Sequence, residues 1–319
     1  MRYKQFGKTD LKLSELAVGT WAIGGTGWGD VNEKDSIDAI HAMIDQGVNL
    51  IDTAPSYGRG HSEEVVGKAL SSCRDKVMLL TKCGIRWPEN VKYGSSEPIR
   101  DSSKAAILKQ CEDSLKRLGT DHIDIYLIHW PDAGTPFEET ADALNTLKKQ
   151  GKILFSGISN FEDDDLKKLY DLGVIDVVQY PYSMVNRTKE DVLKQYAEKG
   201  VYTMGYGGLG AGILTGTIRE IPKFEPGDAR LGFYDFFREP KFSKVMELLK
   251  TLDQIADAHG VPVAQVAVNW TTRHPYIGAS LTGVRNAKEA VENCSAFNWS
   301  LSDEEMTMIN NAIDQTVGK

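Results

Sequence analysis

The segment 102–159, SSKAAILKQCEDSLKRLGTDHIDIYLIHWPDAGTPFEETADALNTLKKQGKILFSGIS, contains the pattern that decides the fold. Two helix-like stretches, 102–118 and 137–149, alternate with two short apolar runs, 123–129 and 153–159. Continuous apolar runs of this length are typical of strands in a parallel sheet that is buried on both faces. Parallel strands also require a long crossover between them, which a helix provides. The segment therefore predicts repeated strand–helix units.

The same alternation extends over the rest of the chain. Eight strand–helix units favour a closed (β/α)8 TIM barrel over an open doubly wound sheet. Because no low-complexity tract or Pro/Ser linker divides the sequence, we expect one domain over residues 1–319. The other apolar runs are 16–19, 49–52, 77–81, 176–180, 202–206 and 276–280, and the other predicted helices are 34–46, 62–70, 162–172, 188–199, 241–272 and 286–294.

Both ends of the chain add an element to this pattern. RYKQF and LKLSEL flank the turn GKTD near the N-terminus, which predicts a β-hairpin. Near the C-terminus, SLSDEEMTMINNAIDQT begins with Ser302 and Glu305 at the spacing of a capping box. We therefore expect one further helix after the eighth unit.

Composition excludes several classes of function. The net charge of −8 argues against unaided binding to nucleic acid or an anionic membrane, although a local basic patch can still hold a phosphate. No window approaches 18 uninterrupted apolar residues, and the polar N-terminus does not resemble a signal peptide, so we expect a cytoplasmic protein. The cysteines and histidines lack metal-ligand spacing, which predicts free thiols in a reducing compartment and no metal site; the cysteines are Cys73, Cys83, Cys111 and Cys294.

Four ionisable residues are predicted to meet at one end of the barrel. Asp52, Lys82 and His129 end the second, third and fourth strands, and Tyr57 follows Asp52 in the loop DTAPSYG. Residues at the C-terminal ends of barrel strands form the active-site mouth. Taken singly, each residue has an ordinary structural interpretation: the aspartate as a helix cap, the tyrosine as an aromatic residue of a surface loop and the lysine as a side chain in solvent. Their joint position on three adjacent strands favours a catalytic group.

These four side chains together make a plausible proton donor. A phenol has a pKa near 10, and a buried ammonium beside it stabilises the phenolate, so Lys82 is expected to lower the pKa of Tyr57. Asp52 would pair with Lys82 and keep it charged. His129 would orient a substrate carbonyl or share the proton as the hydroxyl forms. A hydride would have to come from a cofactor, since no side chain supplies one.

Five stretches of this sequence resemble the aldo-keto reductases, in order and along nearly the whole chain. The resemblance implies a barrel whose N-terminal face is closed by the hairpin, with NADPH or NADH extended across its mouth. It implies reversible reduction of aldehydes or ketones to alcohols, with Asp52, Tyr57, Lys82 and His129 as the catalytic tetrad and Tyr57 as general acid. The stretches are NLIDTAPSYGRGHSEEVVGKAL, LLTKCG, LKRLGTDHIDIYLIHWPD, GKILFSGISNF and LTGVRNAKEAVEN.

The resemblance also implies where the cofactor binds. Ser159, Asn160 and Gln179 would hydrogen-bond the nicotinamide carboxamide, and Tyr206 would stack on the nicotinamide ring. Without the resemblance, Ser159 and Asn160 could equally be a helix cap, and Tyr206 a core tyrosine. Residues 205–210, GYGGLG, match a dinucleotide-binding motif but follow the seventh strand, so we interpret them as a pyrophosphate loop. The remaining expected contacts near this site are Gly19, Thr20, Trp21, Asp52, Gly207, Leu209 and Gly210.

The segment GVRNAKEAVEN is expected to hold the adenosine end of the cofactor. Arg285 at a helix N-terminus suits a 2′-phosphate, whereas Glu289 stands where many NADPH-specific relatives carry arginine. Glu289 would either repel that phosphate or pair with Arg285, and on the pairing interpretation we expect NADPH to be preferred over NADH, less strongly than in those relatives. The other expected contacts here are Gly283, Glu292 and Asn293.

The substrate itself is not predicted. Aromatic residues of the loops 83–101, which includes Tyr93, and 216–240 would line its site, and aromatic walls suit sugars, quinones and aryl aldehydes alike. Three alternatives to a carbonyl reductase stay open: a cofactor-binding regulatory subunit on the same barrel, as in subunits of potassium channels, an NAD-linked sugar or alcohol dehydrogenase, and a barrel isomerase or hydrolase. The expected substrate contacts are Tyr57, His129, Trp21, Trp87 and Trp130.

Overall fold

An antiparallel hairpin opens the chain, as the sequence predicts. Its strands are β1 (Tyr3–Gln5) and β2 (Lys12–Ser14). The ring of Phe6, in the turn, lies 4.6 Å from the ring of Phe155 and 4.7 Å from that of Tyr202, both near the starts of barrel strands. The hairpin therefore closes the end of the barrel at which the strands begin. This computed structural model describes residues 1–25, 31–88, 97–224 and 228–318.

Eight parallel strands form a closed barrel, which confirms the predicted fold. Each barrel strand pairs with the next along the chain, and the last pairs with the first, with Leu281 opposite Ala17. The short strands β6 (Ile85–Arg86) and β7 (Ile99–Arg100) form a separate antiparallel pair. The barrel strands are β3 (Leu16–Gly19), β4 (Leu50–Asp52), β5 (Met78–Cys83), β8 (Ile123–Ile128), β9 (Ile153–Ser159), β10 (Val177–Pro181), β11 (Tyr202–Tyr206) and β12 (Ala279–Gly283).

The eighth strand lies three residues later than predicted, at Ala279–Gly283 rather than 276–280. Tyr276 precedes the strand, where its hydroxyl lies 2.7 Å from that of Tyr182 and its ring stacks on His274. Gly278 is packed so closely against Tyr202 that a Cβ there would lie 2.5 Å from the ring. A five-residue run does not reveal which of its members pair, because the contacts that hold Tyr276 before the strand involve residues distant in sequence.

Helices follow the barrel strands, and most lie where the sequence predicts them. The prediction of one helix over 241–272 is wrong, because the left-handed Gly260 (φ +64°) ends the first helix and Pro262 precedes a second. The helices are α1 (Glu33–Asp45), α2 (His61–Leu70), α3 (Lys104–Leu118), α4 (Phe137–Lys149), α5 (Asp163–Asp171), α6 (Glu190–Glu198), α7 (Ala229–Phe233), α8 (Lys241–His259), α9 (Val263–Arg273), α10 (Ala287–Cys294) and α11 (Asp303–Gln315).

The C-terminal helix α11 begins with the predicted capping box. The Ser302 hydroxyl accepts a hydrogen bond from the Glu305 backbone N–H, and the Glu305 carboxylate accepts one from the Ser302 N–H at 2.7 Å. Within the described ranges, no helix has the length and apolar character needed to cross a bilayer. The same ranges contain no group of three His, Cys, Asp or Glu residues that could hold a metal ion. All four cysteines are buried and free.

Candidate active site

The alternation of side chains along the barrel strands brings the predicted residues to the mouth. The buried side chains of Leu50, Leu80 and Leu127 belong to the cluster inside the barrel. Because successive side chains point to opposite faces of a strand, the residue two positions later faces the same interior. These later residues are Asp52, Lys82 and His129, and the same step leads from Val177 to Gln179 and from Met204 to Tyr206.

The Lys82 ammonium lies at the centre of the group and is fully buried. Its Nζ lies 2.8 and 2.7 Å from the two carboxylate oxygens of Asp52, donates to the Thr53 carbonyl at 3.0 Å, and lies 3.3 Å from Tyr57 Oη. These partners match the three N–H groups of an ammonium. Lys82 therefore aims a donor at the phenol oxygen from a position fixed by the other two partners.

Gln179 supports the carboxylate of this ion pair. Its Nε2 donates to Asp52 Oδ2 at 2.7 Å, and Gln179 is 2% exposed. A carboxylate only accepts hydrogen bonds, so it fixes which end of the Gln179 amide faces Asp52. The amide oxygen is thereby presented on the other side, where it suits a donor such as the NH₂ group of a carboxamide.

Burial governs the pKa of Tyr57. Desolvation raises the pKa of the phenol well above 10, and the negative charge of Asp52 raises it further. This direction is opposite to the sequence-based expectation that Lys82 lowers the pKa, since Asp52 cancels much of the field of Lys82. The phenol is therefore protonated at neutral pH, and Lys82 lies within hydrogen-bond distance of its oxygen.

His129 is a neutral hydrogen-bonding group in this setting. Burial lowers its pKa well below 6.5, and the positive charge of Lys82 lowers it further. Its Nδ1 lies 3.2 Å from the Ser56 hydroxyl, and its ring meets the Tyr57 ring edge-on at 5.9 Å. The imidazole and the phenol therefore face the same volume at the mouth.

The residues expected to hold a nicotinamide meet beside His129. Asn160 has a left-handed backbone (φ +65°), and its Nδ2 donates to the His129 carbonyl and to the Ser159 hydroxyl, both at 3.0 Å. The Tyr206 hydroxyl donates to Asn160 Oδ1 at 2.8 Å, and the Ser159 hydroxyl donates to the Gln179 carbonyl. One network thus joins the ends of β8, β9, β10 and β11.

The glycine-rich loop after β11 leaves space in which a ligand could approach the protein backbone closely. Gly207 has a positive φ of +73°, and a Cβ there would meet nothing within 4 Å. At Gly208 a Cβ would lie 2.6 Å from the Ser280 hydroxyl, so any larger residue requires that side chain to move. The loop turns back through a hydrogen bond from Gly210 N to the Gly207 carbonyl, with half-buried Leu209 packed on the core.

Two buried hydroxyls lie in the neighbouring strand. Ser280 Oγ and Thr282 Oγ1 have no hydrogen-bond partner in the described part of the chain. Orphaned polar groups are uncommon in folded proteins, and they often mark a site that a ligand or water completes. They alternate along β12 with Ala279 and Leu281, which face the barrel interior, so both hydroxyls face the surrounding helices.

The predicted adenosine segment lies at the start of α10. Gly283 ends β12, and the Asn286 side chain caps the helix by accepting from Glu289 N at 2.9 Å. Arg285 and Glu289 form the i,i+4 pair that the sequence left open, with Arg285 Nη2 2.7 Å from Glu289 Oε1. Further along α10, Glu292 is half-buried and Asn293 is buried.

Aromatic side chains surround the mouth. Trp21 lies 6.2 Å from the Tyr57 ring and 5.5 Å from Phe233, while Trp130 lies 6.4 Å from the His129 ring. The Trp87 ring lies 5.2 Å from the Arg59 guanidinium. Of the loop 216–240, Phe233 is exposed, whereas Phe236 and Phe237 are buried and serve packing. Tyr93 lies outside the described residues.

Sequence reasoning missed contacts between loops. Thr20, expected at the cofactor, is fully buried and donates its hydroxyl to the Asp52 carbonyl at 2.8 Å. A Cβ on Gly58 would lie 2.2 Å from the Gly24 carbonyl oxygen, so the loop after β3 packs directly on the backbone beside Tyr57. The sequence YGRG at 57–60 indicates an unusual backbone conformation here, but it does not indicate that Gly24 packs against Gly58.

Comparisons with known proteins agree with this geometry. The model of the aldo/keto reductase family matches residues 15–314. The chain is 37% identical to an aldo-keto reductase of Bacillus subtilis, covering 99% of this chain and 95% of the relative. It is 35% identical to the NADH-specific methylglyoxal reductase of Escherichia coli, covering 97% of each chain.

A solved structure extends the agreement to the whole barrel. The glycerol dehydrogenase of Gluconobacter oxydans is 36% identical and superposes with a TM-score of 0.89, covering 99% of this chain and 96% of that one. The family match spans almost every element that builds the mouth. The chain therefore belongs to the aldo/keto reductase family and is an oxidoreductase that interconverts carbonyl compounds and alcohols with NADPH or NADH.

Proposed function

We propose that this chain reduces small aldehydes and ketones to alcohols, with Tyr57 as the proton donor. The observation that carries the proposal is the buried Lys82 ammonium, which lies 3.3 Å from Tyr57 Oη while Asp52 and Thr53 hold its other N–H groups. Such an arrangement serves a phenol that gives up its proton in a dry site. An ion pair that served only to stabilise the fold would not require a phenol oxygen beside the ammonium.

The residues at the mouth suit the two ends of the cofactor. Gln179 and Asn160 would hold the carboxamide, and the Tyr206 ring would lie against the nicotinamide. The loop Gly207–Gly210 would hold the phosphates, and the start of α10 the adenosine. When bound, the reduced nicotinamide supplies the hydride.

Tyr57 supplies the proton as charge develops on the substrate oxygen. It is protonated at neutral pH because burial raises its pKa, so no prior proton uptake is needed. Lys82 stabilises the phenolate that forms, and Asp52 keeps Lys82 charged against the burial that lowers its pKa. His129, neutral because its pKa is lowered, orients the carbonyl by a hydrogen bond.

We infer that the preferred substrates are small, oxygen-rich carbonyl compounds of about three carbons. Two relatives are named for three-carbon compounds, one for the carbonyl compound methylglyoxal and one for the alcohol glycerol. The mouth supports this size, because Trp21 lies against both Tyr57 and Phe233 and so narrows the space above the proton donor. Hydroxyl-bearing carbonyl compounds such as glyceraldehyde suit the polar groups below that aromatic rim.

Oxidation of NADH or NADPH, followed by absorbance, tests the proposal. Methylglyoxal, glyceraldehyde and dihydroxyacetone should be reduced faster than 4-nitrobenzaldehyde. Tyr57→Phe should lower kcat by at least about 100-fold without weakening cofactor binding. Tyr3→Phe is the matched control, because it removes the same atom from a tyrosine that is exposed and bonded to the Gly47 carbonyl.

Two results would contradict the proposal. If Tyr57→Phe keeps more than a tenth of the wild-type kcat, Tyr57 is not the proton donor. If the protein binds cofactor but reduces none of these compounds, it is better described as the regulatory alternative on the same barrel.

A further inference from the structure

The carboxylate of Glu289 occupies an anion-binding position at the start of α10. Its Oε2 accepts a hydrogen bond from the Arg285 backbone N–H at 3.0 Å. Its Oε1 accepts from Arg285 Nη2 at 2.7 Å and from Nε at 3.1 Å. The carboxylate thus uses one backbone donor and one guanidinium face at the same time.

These donors are the ones that a phosphate monoester would need. Phosphates bind to backbone N–H groups at helix N-termini and to two N–H groups of one arginine. Glu289 is attached only four residues away, so it competes for them as an intramolecular ligand. Its negative charge also repels a dianion placed beside it.

A ribose hydroxyl meets a different situation. A hydroxyl donates a hydrogen bond, and a carboxylate accepts one, as acidic residues do for the ribose of NAD in other dinucleotide-binding folds. The side chain of Glu289 is 31% exposed and that of Arg285 is 68% exposed, so both can be reached from solvent. Glu289 can therefore accept from a 2′-hydroxyl without giving up Arg285.

We propose that Glu289 is an internal substitute for the 2′-phosphate, and that this chain consequently prefers NADH to NADPH. The inference rests on the proposed function, because it concerns the cofactor of that reaction. It reverses the sequence-based expectation, which favoured NADPH even with Glu289 paired to Arg285. The reason is the hydrogen bond from the Arg285 backbone N–H, which the sequence could not show.

Direct binding measurements test the inference. NADH and NADPH are titrated by cofactor fluorescence, and 2′-AMP by calorimetry, against the wild type and Glu289→Gln. The wild type should bind NADH more tightly. Glu289→Gln should strengthen NADPH and 2′-AMP binding by about tenfold, equivalent to about 1.4 kcal/mol, and change NADH binding by less than about threefold. Adding Arg285→Ala to Glu289→Gln should abolish the gain, because the freed guanidinium provides it.

Glu304→Gln is the matched control, since it removes the same charge from an exposed residue of α11 and should change neither affinity. The inference is overturned if the wild type binds NADPH more tightly than NADH and Glu289→Gln leaves the ratio of the two affinities unchanged. The proposed function would still stand in that case. If the protein binds neither NADH nor NADPH, the proposed function is overturned, and this inference is overturned with it.

Discussion

Replacing Lys82 by methionine tests the central claim about the proton donor. The ammonium lies 3.3 Å from Tyr57 Oη. With an effective dielectric constant of about 20, Coulomb's law gives about 5 kcal/mol for unit charges at that separation. If about half of the phenolate charge has developed in the transition state, Lys82→Met removes about 2.5 kcal/mol. This corresponds to a loss of about 50- to 100-fold in kcat.

Stability has to be separated from catalysis in this experiment. Lys82→Met leaves the Asp52 carboxylate buried with Gln179 as its remaining side-chain donor among those described. Breaking a buried ion pair from one side typically costs about 3–5 kcal/mol. The double variant Asp52→Asn/Lys82→Met carries no charge at these two positions, so it should recover much of the free energy of unfolding measured in urea.

The double variant should nevertheless remain slow, because it also lacks the ammonium beside Tyr57. Stopped-flow measurement of a single turnover isolates the chemical step, and kcat is followed from pH 6 to 9. Recovery of both stability and kcat in the double variant would refute the reasoning, since catalysis would then depend on folding and not on the charge. An unchanged kcat in a folded Lys82→Met variant would refute it equally.

Three further perturbations follow from the geometry. Gln179→Leu removes the 2.7 Å bond to Asp52, so it should lower the free energy of unfolding in urea by about 1.5–3 kcal/mol and weaken cofactor binding in a fluorescence titration. Burial lowers the pKa of His274 from 6.5 to about 4, so between these pH values the folded state binds fewer protons than the unfolded state. The free energy of unfolding should therefore fall by up to about 3 kcal/mol as the pH is lowered from 6.5 to 4, and His274→Phe should reduce this loss in urea titrations. Gly208→Ala places a Cβ 2.6 Å from Ser280 Oγ, which should cost about 1–3 kcal/mol by thermal unfolding, and adding Ser280→Ala should restore most of it.

Much of the site follows from the sequence because strand alternation is strict. Once Leu50, Leu80 and Leu127 are assigned to the interior, the positions two residues later must face the same space at the strand ends. The fold determines this placement before any side-chain contact forms. That is why Asp52 and Lys82, far apart in sequence, were expected to meet.

Contacts that depend on loops or on side-chain choice could not be predicted in the same way. Gln179 has two equivalent-looking ends, and only the position of Asp52 selects which one it uses. The close approach of Gly24 and Gly58 joins two loops whose paths no periodicity specifies. The sequence indicated that Glu289 could pair with Arg285, but not that its carboxylate also accepts from the Arg285 backbone N–H.

The direction of the Tyr57 pKa shift explains why the site is built around an ion pair and not around a single cation. A lone cation beside the phenol would lower the pKa of Tyr57, whereas here the carboxylate of Asp52 is paired with that cation. Burial raises the pKa of Tyr57 and the charge of Asp52 raises it further, so under the proposed function Tyr57 would hold its proton until negative charge develops on the substrate. The same burial strengthens the interaction between Lys82 and the forming phenolate, because the local dielectric constant is low. Desolvation therefore keeps the phenol protonated at rest, and the Lys82 ammonium beside it would offset the cost of forming the phenolate.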